Sequence, residues 1–211
     1  MKNKTDVGGI ILALKGAYPE AYCSLDHKSP YELLMATILS AQCTDERVNM
    51  VTPALFKACP GPAEMAAAPL PALEKLVHST GFYKNKALSL KEASRAILKD
   101  FGGKVPRTMQ ELLTLRGVAR KTANVVLGSA YGIAAGVVVD THVKRVAFRL
   151  GLTRHTDPEK IEQDLMRAVP KEDWIWFAHA LVLHGRAACG ARKPLCGDCP
   201  LAKLCPRHGV K

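Results

Sequence analysis

The chain has 211 residues, of which 48% are apolar and 23% charged, an ordinary composition for a soluble globular protein. That length allows one large domain or two small ones, and an aromatic content of 6% leaves the core to Leu, Val, Ile and Ala. Lys and Arg number 30 against 19 Asp and Glu, so the net charge is +11 and the pI is near 9.4. Excess positive charge of this size favours polyanion partners and nominates nucleic acid without proving it. The start from Met1 to Asp6 is polar and charged, so no signal peptide is expected. The longest apolar stretch, Val125 to Val139, is broken by Gly128, Ser129, Gly132 and Gly136. It falls short of the ~20 residues a membrane span needs, so a cytoplasmic location is expected.

Taken in chain order, nearly every segment reads as helix. Val7, Ile10, Ile11 and Leu14 have the spacing of an amphipathic helix. Ser29-Pro30-Tyr31-Glu32 is a capping box with Pro at the first helical position, opening an apolar run through Leu33, Leu34, Ile38 and Leu39. Pro71 starts a further helix that Gly81 ends, and the next runs from about Tyr83 to Asp100 and stops at Gly102-Gly103. Thr108-Met109-Gln110-Glu111 is a second capping box, leading into a short helix that breaks at Gly117. A helix from about Arg120 to Tyr131 closes at Gly132, and later ones cover about 142–150, 158–168 and 172–187, with Asp157-Pro158 capping the second of these. Gly136 to Val139 is β-like, but one short strand has no sheet to join. The expected fold is therefore all-α, with about ten helices.

Seven cysteines fall into two groups. Cys23, Cys43 and Cys59 are scattered and read as small packing residues. Cys189, Cys196, Cys199 and Cys205 are clustered, and an odd total without an export signal argues for metal ligation over disulfides. Their spacing, Cys189-x6-Cys196-x2-Cys199-x5-Cys205, has one tight pair between two longer arms. Zinc sites commonly use two tight pairs, whereas longer arms can wrap an iron–sulfur cube; spacing favours the cluster and leaves zinc open. The first arm carries Arg192 and Lys193, which can offset the charge of thiolates, present cations to a phosphate backbone, or do both.

Leu112 to Leu127 reads as helix, tight turn, helix. The turn exposes backbone N–H groups at the start of the second helix, where unpaired donors and the positive dipole end favour an anion. Lys121 sits in that first turn beside Arg120, the wrong end of the dipole for a cation. A positive field and partial desolvation both disfavour an ammonium there, which suits an amine nucleophile. Asp140, ahead of Thr141-His142-Val143-Lys144-Arg145, reads first as an N-cap. Its second lone-pair direction could face a cleft and accept a proton; spacing leaves both readings open.

These segments resemble bacterial endonuclease III in order and spacing. The resemblance is carried by Leu115 to Val126, Val139 to Val143, Leu183-His184-Gly185-Arg186, the four-cysteine tail, and upstream by Leu39 to Asp45 and Gly81 to Ala87. It implies the helix-hairpin-helix DNA glycosylase fold, with a six-helix domain over 24–135 that includes the hairpin at about 108–131. A [4Fe–4S] cluster domain would be formed by 1–23 and 136–211. It further implies a bifunctional glycosylase and AP lyase of base excision repair that excises oxidised pyrimidines and cleaves 3′ to abasic sites by β-elimination.

By the same resemblance, Lys121 is the Schiff-base nucleophile, Asp140 its acidic partner, and Cys189, Cys196, Cys199 and Cys205 the ligands of a [4Fe–4S] cluster. Gln42, Phe82 and His142 fall where residues fill or flank the gap left by a flipped nucleotide. Further contacts to double-stranded DNA are expected from Arg116, Gly117, Ala119, Arg120, Arg145, Arg192 and Lys193. A monomer associated with the nucleoid through DNA is expected. The family hairpin usually has Pro and a second Gly where this chain has Arg116 and Ala119, so weaker or altered docking is expected. Two rivals remain at this point. One is a monofunctional mismatch glycosylase, which Lys121 argues against; the other is a non-catalytic iron–sulfur, DNA-binding module.

Overall fold

A computed structural model describes residues 5–210. Among them no strand forms, and eleven α-helices alternate with short loops and two single 3-10 turns. Contacts divide the chain into two compact units: Cys23–Ile133, and a second unit made from described residues up to Tyr22 and from Ala134 onward.

The unit Cys23–Ile133 holds α2 (Pro30–Leu39), α3 (Asp45–Ala58), α4 (Pro62–Ala67), α5 (Leu70–Val77), α6 (Tyr83–Phe101), α7 (Met109–Leu112) and α8 (Arg120–Tyr131). Both capping boxes form. Ser29 accepts from the Glu32 N–H at 3.1 Å, and Thr108 accepts from the Glu111 N–H at 3.3 Å. The helix at Pro71 begins one residue earlier, at Leu70, and a 3-10 turn at His78–Thr80 carries it toward Gly81. Helix α2 is buried on nearly every face, with Leu33, Leu34, Met35 and Leu39 fully enclosed, and it packs against α8. Helix α6 packs against α4 and α5 through Leu90, Ala93 and Ile97. Each such enclosed Leu or Ile contributes ~1.5–3 kcal/mol relative to exposure.

Helices α3 and α4 are absent from the spans read in the sequence. Pro53 lies inside α3 and removes its bond to the Asn49 carbonyl, which interrupts the pattern a helix search relies on. Thr44 nonetheless caps it, and Asp45 and Glu46 occupy its first turn. Helix α4 is too short for periodicity to register.

The second unit contains α1 (Val7–Ala17), α9 (Thr141–Arg149), α10 (Pro158–Ala168) and α11 (Trp174–Ala187). Ile10, Ile11 and Leu14 of α1 are buried as their spacing predicts. They join a core with Val143, Val146, Ile161, Leu165, Phe177 and Leu181. Residues 137–139 form neither helix nor strand, bury Val137 and Val139, and deliver the chain to Asp140. No helix of the described residues is long and apolar enough to cross a membrane.

Candidate nucleic-acid interface and cluster site

The hairpin lies within the unit Cys23–Ile133. Leu115 and Val118 are buried and anchor the turn, which the Val118 N–H closes on the Leu115 carbonyl at 3.1 Å. Gly117 is required twice over. Its φ is +82°, and a Cβ there would stand 2.9 Å from the Ser89 Cβ. Arg116, Gly117 and Ala119 are exposed and Arg120 is half-buried. Ala119 is the N-cap of α8, in extended conformation, and offers no side-chain acceptor to the first turn. The helix therefore opens with N–H donors and a positive dipole end and no side-chain cap to neutralise them.

Lys121 projects from that turn and is exposed. The uncapped first turn of α8 surrounds it with a positive field. Gln42 and Phe82, in the same unit, are both exposed and both left-handed, with φ of +52° and +47°. Arg207 is the one other non-glycine residue with positive φ among those described. Non-glycine residues held this way store strain that the surrounding structure must offset, and such residues cluster at working surfaces.

In the second unit, Asp140 is the N-cap of α9. Its Oδ1 accepts from the Val143 N–H at 2.8 Å, so the capping reading holds. Its charge also reaches His179 of α11: burial holds that imidazole below the usual histidine range, and Asp140 pulls in the opposite direction. Sequence reasoning did not single out His179, whose place on α11 gives no local signal. His142 is half-buried and pairs with an Arg145 amine at 3.1 Å. Arg145 also donates to the carbonyls of Cys189 at 3.0 Å and Gly185 at 2.9 Å. The structure thus gives Arg145 an internal task, bracing α9 against the start of the cysteine tail.

Cys189, Cys196, Cys199 and Cys205 line one pocket, walled by Val146, Leu150 and Leu201. Among the described residues no three potential ligands converge closely enough for a single metal ion. Four thiols around one apolar pocket are a donor set that fits an iron–sulfur cluster. Burial pushes the Cys199 and Cys205 thiols up, and neighbouring cysteines push each further.

Two further residues serve this pocket. Arg149, buried, donates to Cys189 Sγ at 3.2 Å and to the carbonyls of Gly190 at 2.8 Å and Ala191 at 2.9 Å. His184, also buried, lies 3.2 Å from the Tyr18 hydroxyl and 3.6 Å from Cys199 Sγ. His184 stands in the Leu183-His184-Gly185-Arg186 motif without an assigned role, and nothing in the local sequence singles out Arg149. The arm from Cys189 closes with the Leu195 N–H on the Ala188 carbonyl at 2.8 Å and leaves Arg192 and Lys193 exposed.

Residues 35–171 match the HhH-GPD superfamily of base excision DNA repair proteins, and residues 189–205 match the iron–sulfur binding domain of endonuclease III. Endonuclease III of Synechocystis is 60% identical over 93% of this chain and 90% of its own length. An endonuclease III in non-covalent complex with DNA superposes with a TM-score of 0.92 at 42% identity, covering 98% of this chain and 97% of the other. An endonuclease III trapped as a covalent intermediate with DNA gives 0.89 at 41% identity, covering 97% of each chain. The chain accordingly carries a [4Fe–4S] cluster, and the matched iron–sulfur segment 189–205 spans the four cysteines. On these matches the chain belongs to the endonuclease III family of HhH-GPD base excision repair proteins.

Proposed function

We propose that the chain is a bifunctional DNA glycosylase and AP lyase that removes oxidised pyrimidines from double-stranded DNA, with Lys121 as its nucleophile and Asp140 as the acidic partner. The observation that carries the residue assignment is the placement of an exposed Lys121 in the uncapped, positive first turn of α8, directly after a turn whose glycine geometry presents that turn outward. A relative trapped as a covalent intermediate with DNA supports a covalent route.

The damaged nucleotide leaves the stack, at a cost of a few kcal/mol that is smallest for a base that stacks or pairs poorly. Gln42 and Phe82 enter or flank the gap, and their left-handed backbones hold both side chains out for this purpose. The hairpin N–H groups, with Arg116 and Arg120, dock the phosphodiester. Bound DNA supplies the desolvation that free Lys121 lacks, and its amine attacks C1′ as the base departs with the electron pair of the glycosidic bond. Proton loss from the nitrogen and cleavage of the C1′–O4′ bond then open the sugar to an imine, O4′ taking up a proton. The imine withdraws electrons, a 2′ proton is removed, and the bond from C3′ to its oxygen breaks with the 5′-phosphate of the downstream strand as leaving group. Water then hydrolyses the imine and releases Lys121. Cys189, Cys196, Cys199 and Cys205 hold the cluster, which supplies cohesion to the tail that presents Arg192 and Lys193 to the backbone.

The test is strand scission on duplexes bearing one thymine glycol or one abasic site. The wild type is expected to cleave both, leaving an unsaturated aldehyde on the 3′ end. Lys121→Gln should retain duplex binding and lose cleavage. Full cleavage by Lys121→Gln would remove Lys121 from the mechanism.

A further inference from the structure

Lys86 is a buried ammonium for which the chemistry above has no use. It lies one turn into α6, is 5% exposed, and donates to the Thr80 carbonyl at 2.7 Å. Burial holds its amine below the usual lysine range, and the Cys43 thiol lies within electrostatic reach. A lysine near the start of a helix is at the unfavourable end of the dipole, and burying its charge adds a desolvation cost. A residue kept there against both costs is held by what it bonds.

The acceptor explains the placement. Thr80 ends the 3-10 turn His78–Thr80 that continues α5, so its carbonyl is a chain-end acceptor with no next turn to satisfy it. Immediately beyond come Gly81, with φ +71° and ψ 156°, and left-handed Phe82, which begins α6 and is 66% exposed. The Lys86 N–H bonds the Phe82 carbonyl at 3.1 Å. One residue therefore grips the Gly81-Phe82 corner on both sides: its backbone after Phe82, its ammonium before Gly81. Cys43, within electrostatic reach of the same ammonium, directly follows Gln42, the other exposed left-handed residue.

We propose that Lys86 is a positioning residue for base extrusion, its buried ammonium tying down the Thr80 carbonyl so that the Gly81-Phe82 corner keeps Phe82 projected from the surface. The proposal rests on the reading of Phe82 as a residue that enters the gap in the stack. Without the tether, Phe82 relaxes toward ordinary negative φ and ceases to stand out from the corner.

The experiment uses cluster-loaded protein on a duplex with 2-aminopurine opposite an uncleavable tetrahydrofuran abasic analogue, together with single-turnover cleavage of a thymine glycol duplex. Phe82→Ala reports the underlying reading and should abolish the 2-aminopurine fluorescence rise on binding. Lys86→Met keeps the apolar stem and removes the donor; it should reduce both the rise and the single-turnover rate roughly tenfold, the loss expected for one charged hydrogen bond. Lys86→Arg, which retains a cationic donor, should restore most of the signal. In a Phe82→Ala background Lys86→Met should add less than about twofold, because the two residues act through one corner. Thermal melting checks folding, and Lys86→Gln, whose amide is too short to reach, replaces the Met variant if that variant does not fold. A full fluorescence rise with Lys86→Met, or effects of the two substitutions that multiply, would overturn the proposal. An undiminished rise with Phe82→Ala would instead remove the reading beneath it.

Discussion

Gly185 of α11 lies directly against His142 of α9: a Cβ at 185 would stand 3.0 Å from both the Cβ and the Nδ1 of His142, and 3.2 Å from an Arg145 amine. The two helices cross where only a hydrogen atom separates them, and that crossing fixes the first turn of α9, which Asp140 caps. Gly185→Ala should push α9 and α11 apart by a few tenths of an ångström. The expected cost is about 1–3 kcal/mol of stability, measurable by urea denaturation, with a fall in cleavage rate larger than the fall in DNA affinity. Unchanged stability would show that His142 can yield freely.

Gly117 is the counterpart in the hairpin. Gly117→Ala combines a positive φ with a Cβ 2.9 Å from Ser89, so the turn itself must move. A loss of ~1–3 kcal/mol is expected, together with a marked loss of affinity for undamaged duplex DNA, which reads the hairpin without involving a lesion. Fluorescence anisotropy at several salt concentrations checks this; an unchanged affinity would place backbone docking elsewhere.

How much of this was legible in the sequence differs with the kind of signal. Ser29, Thr108, Asp140 and Asp157 each cap the helix that local chemistry assigns them, because a capping side chain acts within three residues of itself. Helix α3 escaped because Pro53 sits inside it, tolerated for tertiary reasons that no local rule conveys. The cysteine tail was legible from spacing, but Arg149, which donates to Cys189 from a helix 40 residues earlier in the chain, was not. The left-handed backbones of Gln42 and Phe82 were equally hidden, since neither residue type announces positive φ.

Ala119 adopts φ −100°, a conformation open to any residue, so the backbone does not demand glycine there. What the methyl group restricts is the approach of a phosphate to the N–H groups of α8. Ala119→Gly should therefore tighten duplex binding several-fold at low salt while lowering stability by up to ~1 kcal/mol through the freer unfolded chain. If affinity and turnover are unchanged across salt concentrations, the methyl group does not restrict docking.

Arg149→Lys removes a planar fork that serves Cys189 Sγ and two carbonyls of the arm, and a single ammonium cannot replace those bonds. Absorbance near 400 nm per mole of protein should fall, and the remaining cluster should be lost faster to a chelator. Equal retention in mutant and wild type would show that the arm holds its shape without the fork.

Asp164 accepts from Thr153 at 2.6 Å and from His155 at 2.8 Å. Burial raises its carboxyl, but these bonds, with the charges of His155 and Arg167, lower it further and hold it below the ordinary carboxylate range. A depressed carboxylate contributes stability above its unfolded pKa and loses it as pH falls through the folded value. Asp164→Asn should thus cost about 1 kcal/mol at neutral pH, with the difference from wild type vanishing in acid. Thermal melts from pH 7 downward check the sign; a gap that widens on acidification would contradict it.

The assignment of Lys121 is tested most directly by borohydride trapping on an abasic duplex and on a thymine glycol duplex, followed by peptide mapping of the adduct. A covalent complex is expected with both substrates, reduced onto the Lys121 side chain and absent from Lys121→Gln. An adduct mapped to another amine, or none formed by cluster-loaded protein that binds the duplex, would contradict it.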